Sequence, residues 1–335
     1  MFSIVIPCRL YNSKLAQTLD KLQLQTYQNF ETIVILDFED SNLVSTSKVK
    51  YIFSGIKTPG EKRNIGIKSA NGDYIAFLDD DAYPSEKWLE NSKIILDSNP
   101  EYIGVCGPSI TPPDSSFLEQ IGGYIYESFM TSGPTRYRHL QQRPRVVNDY
   151  PSVNLIIRKE CIDEIGGFDT KYWPGEDTKL CLDLTKKYGK RIFYSPILVV
   201  YHYRRSVFHP HLIQLSRYAS HRGFFAKEFP ETSLKFSYFI PSMFVIYLAF
   251  LPLLFLNLKN SSYLLFPLLA YFLALVFESI QIYLKSGSLA KSILATIGIF
   301  FSNVTYGIFF LKGLLSKPSL VLREVDILNE KYIKG

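Results

Sequence analysis

Both common phosphate-binding loops are missing from this chain: no GxGxxG follows its first apolar run, and GxxxxGK[ST] occurs nowhere. A nucleotide held here must have its phosphates neutralised by other means. Cysteine is sparse. The four, Cys8, Cys106, Cys161 and Cys181, are widely spaced, with no CxxC pair and no His at metal-ligand intervals. That excludes a disulfide framework and a zinc finger, and it suits reduced, buried thiols. Met1 leads straight into a strand pattern, without the basic, apolar and small-residue succession of a signal peptide, so a cytoplasmic catalytic domain is expected. From about Tyr238 onward charge itself becomes scarce. Of the net charge of +6, residues 237–335 carry +4, with eight Lys or Arg against four Asp or Glu. Basicity beside apolar stretches fits an anionic lipid surface and argues against nucleic acid as a partner.

What is present begins with an alternation of short apolar runs and helical patterns. Ser3–Pro7 reads as a strand; Leu15, Leu19, Leu22 and Leu24 recur at near-helical spacing; Glu31–Leu36 is the next strand, with Asp37 at its end. Strand, helix and strand in so few residues make a βαβ unit and predict a parallel sheet. Tyr51–Phe53 is a short third strand, and Lys62-Arg63-Asn64 opens a helix through Ala70. The run Tyr74–Leu78 follows the turn pair Asn71-Gly72 and stops at Asp79-Asp80-Asp81. Ligands gather at the carboxyl ends of strands in open α/β sheets, and neighbouring carboxylates there repel one another unless a cation joins them. A hard, oxygen-ligated ion such as Mg²⁺ or Mn²⁺, itself holding phosphate, is the expected partner. Asp79 and Asp81 with that ion, helped by Lys62 and Arg63, would supply the charge that the missing loops do not. The alternatives are a solvated acidic turn and a solvated first helical turn.

Val5-Ile6-Pro7, Gln25-Thr26-Tyr27 ahead of Glu31–Ile35, Arg63-Asn64-x-Gly66 and Asn71–Asp81, in this order, resemble the family 2 glycosyltransferases of GT-A fold. The resemblance covers roughly residues 2–205. It implies a Rossmann-like, mostly parallel α/β domain that binds a nucleotide-sugar with Pro7, Asp37, Lys62, Arg63, Asp79 and Asp80 near the donor. In the family the acid after the second strand contacts the base, which falls on Asp37. The first Asp of its DxD motif reaches the ribose and the last binds metal, giving those roles to Asp79 and Asp81; Asp80 holds the variable middle position. The usual Asp-Asp-Gly-Ser after the second strand is replaced by Leu36-Asp37-Phe38-Glu39.

Farther on, Ser85 to about Asn99 reads as a helix and Ile103–Gly107 as a strand. Residues 108–151 are rich in Pro, Gly, Ser and Arg, with Arg136, Arg138, Arg143 and Arg145 close together. They read as a long irregular segment, either a wall of the acceptor site or a surface loop. A second cluster follows, Gly166-Gly167-Phe168-Asp169 and then Trp173-Pro174-Gly175-Glu176-Asp177. Sugar transfer needs a base for the acceptor hydroxyl. The family's Gly-Glu-Asp resembles this stretch and puts the base on Asp177, with Glu176 binding the acceptor or orienting the base. The competing reading is Asp177 as a plain helix cap. His202, ending the strand Ile197–His202, is either a third metal ligand or a structural His. Gln214-x-x-Arg217-Tyr218 approaches the QxxRW motif of processive synthases, which marks Gln214 and Arg217 as acceptor or pyrophosphate contacts; Trp173, ahead of the Gly-Glu-Asp stretch, is grouped with them.

His211–Tyr218, with Arg222, Phe224, Phe225 and Lys227, suits a basic amphipathic helix in a headgroup layer. Tyr238–Leu256, Tyr263–Leu284 and Ile293–Leu311 each approach the roughly 20 residues that cross a bilayer, interrupted by Pro241, Pro252 and Pro267 and carrying one acid, Glu278. Lys312, Lys317 and Arg323 favour an inside tail, so three full spans conflict with the positive-inside rule and one segment re-enters instead. The expected organisation is a GT-A domain at 1–205, an interfacial segment at 206–236, about three transmembrane helices at 237–315 and a tail at 316–335. The expected function is metal-dependent, inverting transfer from a nucleotide-sugar, by preference UDP-linked, to a lipid-linked or growing glycan acceptor, with Mn²⁺ or Mg²⁺ as cofactor and homo-oligomerisation left open. The rivals are a processive polysaccharide synthase and a catalytically silent nucleotide-binding scaffold.

Overall fold

A computed structural model describes residues 1–257 and 261–316 of the chain. In chain order its strands are β1 (Phe2–Pro7), β2 (Phe30–Leu36), β3 (Val49–Phe53), β4 (Tyr74–Phe77), β5 (Ala82–Pro84), β6 (Gly104–Cys106), β7 (Ser109–Ile110), β8 (Arg145–Val147), β9 (Leu155–Arg158), β10 (Ile192–Tyr194) and β11 (Val200–His202). Its helices are α1 (Ser13–Gln23), α2 (Pro59–Ser69), α3 (Trp88–Ser98), α4 (Phe117–Glu127), α5 (Phe129–Ser132), α6 (Lys159–Ile165), α7 (Glu176–Tyr188), α8 (His209–Glu228), α9 (Pro230–Ser233), α10 (Phe236–Asn257), α11 (Phe266–Ser286) and α12 (Leu289–Leu315). They fall into two compact units. Among the described residues, Met1–Ile110 with Leu140–Tyr203 form the first; Thr111–His139 and the chain from Arg204 to Ser316 form the second.

The first unit is built on an eight-stranded sheet in the order β3-β2-β1-β4-β9-β6-β10-β8. β1 runs parallel to β2 and β4, and β2 to β3, as the βαβ pattern requires. Every residue of β1 and β4 is buried, which is why both read as unbroken apolar runs. β9 enters antiparallel between β4 and β6, a reversal that its apolar run Leu155-Ile156-Ile157 does not announce. Leu15, Leu19 and Leu22 of α1 are buried, whereas Leu24, grouped with them by spacing, is the C-cap residue and points to solvent.

Helix α2 begins three residues earlier than Lys62. The Thr58 hydroxyl accepts from Glu61 N, the Glu61 carboxylate accepts from Thr58 N, and proline takes the first turn. The earlier start carries Lys62 and Arg63 past the solvated end, and both are buried. Gly66 lets α2 lie close on β1, because a Cβ there would stand 2.4 Å from Val5 Cγ1. Helix α3 likewise starts at Trp88, not Ser85, whose N–H donates to Val199 O. A second sheet, β5-β11-β7, pairs His202 opposite Ala82, the residue after the acid triplet.

The second unit takes a piece from the middle of the chain. Residues 111–139, expected to be irregular, hold α4, α5 and a 3₁₀ turn at Gly133–Arg138. The overlooked signal is Ser116-x-x-Glu119, a reciprocal cap in the structure. Ile121 and Ile125 of α4 form a buried cluster with Val207, Ile282, Ala295 and Ile299. Three helices among the described residues are long and apolar enough to cross a membrane, at Phe236–Leu253, Ser262–Ser286 and Leu289–Leu315. Pro241 and Pro252 lie inside α10, while Pro267 sits in the first turn of α11, where it is tolerated. Glu278 accepts from Phe129 N at 3.1 Å, so the acid caps α5.

Helix α8 does not present Phe224, Phe225 and Arg222 to a headgroup surface; all three are buried. The cause is a close crossing with α12: a Cβ on Gly223 would stand 2.0 Å from Phe310 O. Residues 317–335, with Lys317 and Arg323, lie outside the described residues, and Lys312 stands in the last turn of α12. Because α4 closes its apolar face on α11 and α12, residues 1–205 expressed alone should aggregate. Size-exclusion chromatography without detergent checks this, and a soluble monomer would contradict it.

Candidate active site

Parallel β1, β2 and β4 deliver their carboxyl ends to one edge, and the acids follow directly. Asp37, just past β2, is wholly buried and ion-paired with the equally buried Lys62. Lys62 Nζ also donates to Cys8 O at 2.7 Å. Its charge therefore ties the end of β1 to the end of β2 and does not reach toward phosphate. Pro7, in register with Ile35, is buried beside this pair. A cavity of about 350 Å³ opens at the same ends, lined by Leu10, Tyr11, Leu36, Phe38, Glu39 and neighbours through Leu43.

The three acids after β4 take three different partners. Asp80 Oδ2 accepts from Cys8 Sγ at 2.9 Å and from Asn12 Nδ2 at 3.5 Å, and burial pushes its carboxyl up despite those bonds, with Asp81 and Asp79 adding to the rise. Asp81 Oδ1 lies 3.1 Å from His202 Nε2. Asp79 Oδ1 accepts from Arg63 NH2 at 2.9 Å. Ligand atoms of Asp79, Asp81 and His202 lie within 4.8 Å of one another.

Arg63 is the centre of the cleft. Besides Asp79, its NH1 donates to Glu176 Oε1 at 3.2 Å and lies 3.8 Å from Asp177 Oδ1. Burial opposes the guanidinium charge, but Asp177, Asp79 and Glu176 outweigh it and hold the group more firmly protonated than usual. The Phe168 ring backs Arg63 at 5.6 Å. Phe168 is held in turn by Asn64, which donates to Phe168 O and accepts from Phe168 N, both at 2.8 Å. Gly167 precedes it at φ +84°, a backbone state that side-chain-bearing residues avoid.

Glu176 and Asp177 open α7, whose cap residue is Gly175 without a side-chain cap. Asp177 is not the cap: its Oδ2 accepts from Ser152 N at 3.0 Å. The two acids differ in access, Glu176 with 6% of its side chain exposed and Asp177 with 27%. Burial raises both carboxyls, the neighbouring charge of Asp177 adding to the effect at Glu176, while Arg63 opposes it at both. Glu176 Oε2 and Asp177 Oδ1 have no hydrogen-bond partner among the described residues.

The raised carboxyls hold protons in the folded chain that the unfolded chain has already released. The stability from this cluster is therefore complete in acid and declines as pH rises through the folded titration. Glu176→Gln removes one ionising group and should flatten that decline in metal-free protein. Melting temperatures from about pH 5 to pH 8 test it, and an unchanged slope would refute it.

The structure thus gathers Arg63, Asp79, Asp81, Glu176, Asp177 and His202 in the first unit. Trp173 is half-buried at the end of the turn Thr170–Tyr172. Gln214 and Arg217 are exposed on α8 of the second unit. Sequence reading missed Cys8, Asn12, Asn64 and Ser152, whose roles come from contacts between distant segments.

Residues 3–166 match the family model described as glycosyl transferase family 2. Among curated relatives, the pre-mycofactocin glycosyltransferase of Mycobacterium tuberculosis is 30% identical over 156 residues, covering 45% of this chain and 31% of the relative. The amylovoran biosynthesis glycosyltransferase AmsB of Erwinia amylovora is 27% identical over 227 residues, 60% of this chain and 69% of the relative. From Methanococcus voltae, a dolichyl N-acetyl-alpha-D-glucosaminyl phosphate 3-beta-D-2,3-diacetamido-2,3-dideoxy-beta-D-glucuronosyltransferase is 26% identical over 240 residues, 66% of this chain and 72% of the relative. The chain spans less than a third of the length of the mycobacterial protein. The matched segment, which carries Asp37 and Asp79–Asp81 at strand ends and Arg63 on α2, belongs to glycosyl transferase family 2.

Proposed function

We propose that the protein is a membrane-anchored, inverting glycosyltransferase that moves a sugar from a nucleotide-sugar, UDP-linked by preference, to a lipid-linked or growing glycan acceptor at the cytoplasmic face. The observation that carries this reading is the meeting of two acid clusters in one cleft: Asp79, Asp81 and His202 on one side, Glu176 and Asp177 on the other, with Arg63 between them. The cavity flanked by Tyr11 and Phe38 fits the base.

A divalent cation fits the residues present. Two carboxylates and an imidazole are suitable donors, and the four carboxylates of the cleft outnumber the cationic charge of Arg63. When bound at Asp79, Asp81 and His202, such an ion supplies positive charge to a diphosphate leaving group. Asp177, the acid with more of its side chain exposed, takes the acceptor hydroxyl's proton, while Ser152 N–H holds the carboxylate in place through Oδ2. Glu176, buried on Arg63, orients this pair. The acceptor class rests on the names of the relatives, two of which name a dolichyl N-acetyl-alpha-D-glucosaminyl phosphate and amylovoran biosynthesis.

Full-length protein in membranes, given a panel of nucleotide-sugars and lipid extract, should yield a glycosylated lipid or glycan detectable by mass spectrometry; release of nucleotide with no transferred sugar would overturn the reading. Gel analysis of product length separates single transfer from processive synthesis. Mn²⁺ should also raise the melting temperature, and the stabilisation reaches about 2.7 kcal/mol at a hundredfold excess over Kd. Asp81→Asn should remove that increase and the activity together. A full Mn²⁺ shift in the variant would free Asp81 of its role.

A further inference from the structure

Helix α4 has one apolar face, and the described residues cover only part of it. At helical spacing Phe117, Ile121 and Tyr124 fall on the same side as Leu118 and Ile125. Ile121 and Ile125 are fully buried against Ile282 of α11 and Ala295 and Ile299 of α12. The face continues past that cover at its amino end, where Phe117 is 45% and Leu118 40% exposed. Phe129, just beyond the other end, is 58% exposed. Glu119 lies on the opposite side, while Gln120 and Glu127 flank the apolar face, where they meet Lys291 and Lys285.

The position of this overhang within the second unit identifies what covers it. The Phe117 ring lies 5.9 Å from Lys291 Nζ, and Lys291 donates to Gln120 Oε1 at 2.6 Å. Lys285 pairs with Glu127. The two lysines bracket the turn at Ser286–Ser288 between two of the helices long and apolar enough to cross a membrane. Beside them Leu284, Leu289 and Ile293 are exposed apolar residues of the helix ends themselves. Lysines at the ends of apolar helices sit at headgroup level, with their stems along the apolar surface. Phe117 and Leu118 are therefore level with the end of a span, at the depth of the headgroup–acyl boundary, where exposed aromatic and apolar side chains meet lipid.

We infer that α4 is a membrane-contact helix: Phe117 and Leu118, at its amino end, insert into the headgroup–acyl boundary of the bilayer that α11 and α12 cross. The partner is lipid, and the anchor includes a segment that the chain supplies from between two strands of the first unit. This goes beyond the proposed activity and rests on α11 and α12 spanning a membrane.

Three single-tryptophan additions in the full chain, reconstituted in lipid vesicles, test it. The emission of the parent, from Trp88 and Trp173, is subtracted. Phe117→Trp should lose most of its added emission to lipids brominated just below the headgroup, and little to lipids brominated near the chain ends or to aqueous iodide. Phe272→Trp, an exposed position in mid-α11, should be quenched by the deep bromines, and Val44→Trp, exposed in the first unit, by iodide alone. Iodide quenching of Phe117→Trp, or quenching chiefly by deep bromines, would overturn the inference. Iodide quenching of Phe272→Trp would instead overturn the spans beneath it.

Discussion

Asp177→Asn is expected to lower kcat about 10²–10⁴-fold while the donor KM and the melting temperature change little. The amide keeps the shape of the carboxylate, and its oxygen can still accept from Ser152 N, so the 3.0 Å bond that fixes the start of α7 survives. What it loses is the ability to take a proton. The carboxylate, held with Oδ1 3.8 Å from Arg63 NH1, is the group that must do so. Glu176→Gln serves as the comparison. Glu176 is nearly sealed and bound to Arg63, so its amide should perturb orientation and affect rate less than the Asp177 change. Single-turnover rates of the two variants decide. A larger loss at Glu176 would exchange the two roles, and an Asp177→Asn enzyme with normal kcat would end the assignment of the base.

The parts of this architecture that could be read from the chain are those with local causes. β1, β2 and β4 are sheltered within the sheet and so became apolar runs, and the runs of β2 and β4 end in acids because the strand ends form the cleft. The spacing from Arg63 to Asp79 and the Gly-Glu-Asp stretch were legible as motifs. What they do to one another was not. Lys62 and Arg63 read as cations available to phosphate, yet each is turned into the protein by a helix that starts at Thr58, and the reciprocal pair Thr58 and Glu61 had announced that start. The same overlooked signature, Ser116 with Glu119, hid α4 inside a stretch that looked irregular because its glycines and prolines were counted before its caps. His202 reaches Asp81 only because β11 pairs with β5, a long-range register that no local pattern encodes.

The same long-range geometry makes Arg63→Met the most damaging single change in the cleft. Methionine preserves much of the side chain's apolar length against Phe168 but leaves Glu176 buried with no cation beside it. Removing one partner of a buried pair costs about 3–5 kcal/mol, far above a surface ion pair at about 0–1 kcal/mol. The cost falls on the charged forms, so it should be small in acid, where the carboxyls are protonated, and grow as pH rises through their titration. Arg63→Lys keeps a charge but loses the fork that serves Asp79 and Glu176 together, and should recover only part of the loss. The double variant Arg63→Met with Glu176→Gln separates electrostatics from packing. If the stranded carboxylate is the cause, neutralising it restores stability toward that of the parent, and the coupling exceeds the roughly 0.5 kcal/mol within which independent sites add. If the two losses simply add in metal-free urea unfolding, Arg63 acts by packing alone and does not join the donor acids to the base.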